Sequence, residues 1–141
     1  MATLVKFQDF AEQLGKGVHD LSADTIKVFL TNTAPNAATA DELADITQIA
    51  YTNISGGVAP TITKQYTETG GTGTFAADAL VITASGAVPT FQYYGLYNDT
   101  STGDKLICYW DHGSAVTLAT SETFTITFGA DATMGTIMTV A

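Results

Sequence analysis

Phe91-Gln92-Tyr93-Tyr94-Gly95-Leu96-Tyr97 runs into Asn98-Asp99-Thr100-Ser101-Thr102-Gly103-Asp104 and leaves through Lys105-Leu106-Ile107-Cys108-Tyr109-Trp110-Asp111. Two aromatic, β-favouring runs flank a polar stretch rich in Asx, Ser and Gly, which is the pattern of a β-hairpin. Strict alternation sends Phe91, Tyr93 and Gly95 to one side of the first strand and Tyr94 and Leu96 to the other. Rings occupy both sides, so at least one side is core, with tyrosine hydroxyls reaching its rim. Cys108 sits inside the apolar return strand and reads as a buried, unreactive thiol.

Outward from this hairpin the same grammar repeats. Glu122–Phe128 alternates Phe124, Ile126 and Phe128 against Thr123, Thr125 and Thr127. Ile26, Val28 and Leu30 alternate in the first clear strand, which Asn32-Thr33-Ala34-Pro35-Asn36 ends. Ala59–Glu68 reads as a strand, Thr69–Gly73 as a turn demanding positive φ, and Phe75–Ala84 as one further strand. His112-Gly113-Ser114 reads as a break before a short strand, Ala115–Leu118, and Gly135–Ala141 as the last strand. Residues 37–50 suit one helical turn in a long excursion. Leu4, Phe7, Phe10, Leu14, Val18 and Leu21 fall at spacings of three and four, the mark of an amphipathic helix that Gly15 and Gly17 weaken. Short strands separated by Gly and Asx turns predict an all-β, β-sandwich or jelly-roll-like single domain. Residues 1–21 form its N-terminal helix or arm, packed on the domain or extending from it, and residues 22–141 form the sandwich.

The 141 residues suffice for one domain burying about two-thirds of its unfolded surface. Only 13% are charged, against roughly 25% in ordinary soluble domains, so Thr, Ser, Ala and Gly must cover much of the surface. Five lysines, no arginine and fourteen carboxylates give a net charge of −9. That balance opposes contact with nucleic acid or an anionic membrane, both of which need cationic groups. No apolar stretch approaches the ~20 residues of a membrane span, and Asp9 and Glu12 interrupt any secretory h-region. A single cysteine excludes an intrachain disulfide.

Candidate chemistry is sparse. His19 and His112 have no Cys or carboxylate at a metal-motif spacing, and Asp111-His112 has the form of an ordinary turn pair. The Asn98–Asp104 loop offers oxygens in a pattern unlike an EF-hand, and its Asx residues suit bonding to their own backbone. Neither a cofactor, a metal nor a catalytic residue is expected, and the chain reads as a non-enzyme. The aromatic strand admits a second reading as a carbohydrate-binding platform.

Tyr94–Ile107, Tyr109–Leu118 and Glu122–Phe128, with Phe7–Leu14, His19-Asp20-Leu21, Asp24–Val28 and Thr31–Pro35 in front, resemble a family of small tailed-phage virion proteins, the capsid decoration or cement proteins. The resemblance implies a jelly-roll-like homo-oligomer, dimer or trimer, made in the host cytoplasm. It would bind the outer surface of the virion across adjacent major capsid protein subunits. Contact residues are then expected on the arm, at Leu4, Phe7, Phe10 and Leu14, and in the loops 33–60, at Pro35, Leu43 and Ile46. A tail-tube, head-fibre or head–tail joining subunit is the neighbouring alternative.

Overall fold

The computed structural model describes residues 2–129 and 134–141. Met1, the first residue of the expected arm, lies outside them. The described chain is mainly β, with nine strands, one α-helix and two single 3₁₀ turns. The strands are β1 (Leu4–Lys6), β2 (Ile26–Thr31), β3 (Lys64–Thr69), β4 (Thr72–Asp78), β5 (Leu80–Thr83), β6 (Val88–Asn98), β7 (Leu106–Leu118), β8 (Thr123–Ile126) and β9 (Met134–Val140). Helix α1 spans Gln8–Gly15. All strand pairs are antiparallel, in the orders β1-β7-β6-β2, β3-β4-β9 and β5-β8. This is the expected all-β, sandwich-like domain.

The aromatic hairpin is the centre of the four-stranded sheet. β6 and β7 pair from Tyr97 opposite Leu106 to Val88 opposite Leu118. β7 does not break at His112-Gly113-Ser114 as expected: it continues to Leu118, and the glycine lies in a bulge. Tyr93 is opposite Asp111, yet Phe91 is opposite Val116, so extra residues of β7 are accommodated there. Gly113 takes φ +88°, a conformation a β-carbon disfavours. The same irregularity shifts parity on β6. Phe91 therefore joins Tyr94 and Leu96 in one core, correcting the alternation that grouped it with Tyr93.

A second departure lies at residues 75–84. Alternation runs through this stretch, but the chain changes sheets at Ala79: β4 pairs with β3 and β9, whereas β5 pairs with β8. The Asp78 N–H bonds the Thr63 carbonyl at the corner (2.9 Å). The expected strand at 59–68 begins only at Lys64, and its turn closes on Gly70 and Gly71 with φ of +61° and +86°. Phe124 is half-buried, and Ile126 and Phe128 are buried, as their alternation predicts.

Both faces of the four-stranded sheet are covered. On one side Val28, Leu30, Phe91, Leu96 and Trp110 meet Phe75, Ile82, Ile126 and Ile137 from the other sheets. On the other, Phe29, Tyr97 and Leu106 lie under Phe7, Ala40, Ile46 and Ala59. A sheet buried on both faces explains why the hairpin carries rings at odd and even positions alike.

Residues 48–62 also cover the outer edge of β2. Val28 N–H bonds Pro60 O (2.8 Å), Ile49 N–H and Ile62 N–H bond Leu30 O and Ile26 O (2.9 and 3.1 Å), and Leu30 N–H bonds the Tyr51 hydroxyl (3.0 Å). An edge that would otherwise invite strand addition is thereby closed by irregular chain. Burial pushes the Tyr51 hydroxyl up to about 12, keeping it a neutral bridge that accepts from Leu30 and donates to Gln48 Oε1 (2.7 Å).

Candidate functional site

The two expected contact segments converge. Phe7 inserts beside Phe29 and Tyr109, with ring centroids 6.4 and 5.3 Å away, and its cluster includes Ile46 and half-buried Leu43. Gln8 N–H bonds Ala37 O (2.9 Å), tying the start of α1 to the excursion. Phe10, one helical turn later, enters the opposite core. The N-terminal segment thus wraps round the end of the sheet and packs on the domain, while β1 pairs with β7.

This placement corrects part of the expected contact set. Phe7 is 0% exposed, Phe10 2% and Ile46 8%, so these three side chains build the chain's own core and are closed to a partner. Their three- and four-residue spacing was the signature of a buried face, which looks the same whether the covering surface is internal or external. Leu4, Leu14, Pro35 and Leu43 remain half-buried.

Pro35 and Ile46 line an open concavity of about 320 Å³ with Thr33, Ala34, Asn36, Thr39, Asp45 and Thr47. Its wall is rigid. The Glu42 side chain accepts from Asp45 N–H, and the Asp45 carboxylate accepts from Asp41 and Glu42 N–H (2.9 and 3.2 Å), bracketing the 3₁₀ turn Leu43–Asp45. These bonds hold the Asp45 carboxyl below the usual range. Lys105 Nζ then reaches Glu42 Oε1 (2.8 Å), fastening the turn to β7.

Asp111 and His112 are exposed and do not form a catalytic pair. The Asp111 carboxylate accepts from Gln92 Nε2 (2.9 Å) and Gly113 N–H (2.7 Å), which holds its pKa below the ordinary value. The His112 ring instead meets the edge of Phe124, 5.2 Å between centroids. In the hairpin loop, Asn98 Oδ1 accepts from Thr100 and Ser101 N–H (3.0 and 3.2 Å), and Asp99 pairs with Lys27 Nζ (3.1 Å). Among the described residues no group of three or more His, Cys, Asp or Glu side chains is arranged to hold a metal ion. Cys108 is fully buried, and burial pushes its thiol up, against thiolate chemistry. No helix among the described residues is long and apolar enough to cross a membrane.

One cluster has no signal in the sequence. Asn98, fully buried, bonds both His19 Nδ1 (3.1 Å) and Asp24 Oδ2 (2.6 Å) through its amide nitrogen. The partners lie 79 and 74 residues away in the chain, beyond the reach of any spacing rule. Compared with family models, curated proteins and solved structures, the chain matches none of them.

Proposed function

We propose that the chain is a structural virion subunit that decorates a phage capsid and stabilises it by binding across adjacent major capsid protein subunits. The observation that carries this reading is an open concavity lined by the 33–47 excursion, with Asp45 as its one charged residue, while the Gln8 N–H to Ala37 O bond ties the N-terminal segment to the same excursion. It is supported by the resemblance of the aromatic hairpin and its flanks to decoration proteins. The Thr- and Ala-covered rim at Thr33, Ala34 and Thr39 is exposed, so a partner can bury it without desolvating charge. A net charge of −9 favours solubility at the concentrations that many-copy assembly demands. Repetition on a symmetric shell multiplies a contact of ordinary size.

Ala34→Glu and Thr39→Lys test this, because both residues are exposed and neither belongs to a core cluster. Each variant is expected to unfold within about 0.5 kcal/mol of the parent, as ordinary surface substitutions do. Occupancy on purified capsids should nevertheless fall at least tenfold, measured by sedimentation. Unchanged occupancy in both variants would move the contact elsewhere.

A further inference from the structure

His19 is 5% exposed and lies in the turn region after α1, with the Phe10 ring 5.0 Å from its own. Asn98 Oδ1 is already committed to the Thr100 and Ser101 amides, so the group facing His19 is the Asn98 NH₂. That NH₂ has two hydrogens, one directed at Asp24 Oδ2 and one at His19 Nδ1. Nδ1 must therefore be a bare acceptor, and the proton of the neutral ring resides on Nε2, which is buried with no partner among the described residues. Asp24 Oδ2 also receives the Asp20 N–H (2.9 Å), and Thr25 N–H bonds Thr100 Oγ1 (2.9 Å). One amide thus joins the 18–25 segment, the end of β6 and the hairpin loop.

We propose that His19 is an acid-operated latch: neutral, its Nδ1 accepts the Asn98 amide and holds the 18–25 segment and α1 to the hairpin loop, and protonation turns that acceptor into a donor facing a donor and releases them. The charged groups around the ring are Asp9 on α1, Asp24 in its own segment and Lys105 immediately before β7. Desolvation is the largest influence on the ring and lowers its pKa; Asp24 and Asp9 oppose that, and Lys105 adds to it. The sign follows from linkage. A histidine with a folded pKa below its unfolded 6.5 destabilises nothing above pH 6.5, where both states are neutral. Below 6.5 the unfolded state takes up the proton first, so stability falls until the folded pKa is passed.

The test is amide hydrogen exchange, expressed as protection factors, between pH 7.5 and 5. Thr100, Ser101 and residues 18–25 should lose protection at least tenfold as the pH falls, while β6 and β7 amides keep theirs. His19→Gln, which supplies a non-titrating acceptor to Asn98, should flatten that dependence; His112→Gln should leave it intact. Should His19→Gln fail to fold, ¹⁵N resonances of the unmodified chain decide: Nδ1 must be the unprotonated nitrogen at pH 7.5, and protection must fall between pH 6.5 and the lower pH at which the native ring titrates. A protonated Nδ1 at pH 7.5, pH-independent protection in the parent, or the same dependence in a folded His19→Gln variant would overturn the latch.

Discussion

Gly95 has no room for a side chain. It is buried in the middle of β6 opposite Tyr109, and a β-carbon built on it would collide with the Phe29 ring and the Cys108 carbonyl oxygen. The absent side chain leaves the space that the Phe29 ring fills in the second core. Gly95→Ala is therefore expected to destabilise the domain by about 1–3 kcal/mol, the range for overpacking a closed core. Urea unfolding followed by tryptophan fluorescence measures it, since Trp110 is buried and stacks on Tyr94 at 5.4 Å. A change below 0.5 kcal/mol would mean that Phe29 has freedom to move. Burial of the Cys108 thiol was legible from its apolar run, as was a core on at least one side of the aromatic strand, but which rings that core holds was not. The Asn98 amide was not, because a residue in a polar turn gives no sign that its side chain points inward.

Elements followed the hydrophobic period wherever the backbone stayed regular. The strands at β2, β6, β8 and β9 and the turn at Gly70-Gly71 were readable because alternation and glycine chemistry agree there. Several boundaries were not: β3 begins only at Lys64, and Leu4–Lys6 forms a strand where helical spacing was expected. At Gly113 a strand absorbs a positive-φ residue as a bulge, and locally this is indistinguishable from a chain break. At Ala79 the chain passes between sheets without disturbing the apolar pattern, since both strands face the same core. The N-terminal element makes the sharpest prediction at this scale. Phe7 and Phe10 serve opposite cores, so Phe7→Ala should lower the stability of the isolated protein by about 3–5 kcal/mol, read by denaturant titration. A side chain kept for a partner would leave the isolated protein's stability unchanged.

At the scale of the whole molecule, a four-stranded sheet is sealed on one face by two smaller sheets and on the other by the N-terminal segment and the 33–62 excursion. Composition foretold the all-β class and a weakly charged, Thr-covered exterior. Which apolar residues would be left over after folding was beyond reach, because a helical stripe does not say what covers it. With Phe7, Phe10 and Ile46 enclosed, the proposed contact surface is the rim formed by Thr33, Ala34, Pro35 and Thr39, beside half-buried Leu43. That rim is tied to the domain by the Gln8–Ala37 backbone bond and the Lys105–Glu42 ion pair, which lowers the ordering entropy that docking to a repeating lattice would cost. The most direct test of the capsid-decoration proposal is titration of the purified protein against expanded, undecorated capsids of the phage to which that proposal assigns it. After sedimentation, the protein should saturate at a fixed ratio to the major capsid protein and raise the temperature at which the particles rupture. Protein that stays in the supernatant at every ratio, or that is found in mature virions only at the few copies of a tail component, would contradict capsid decoration.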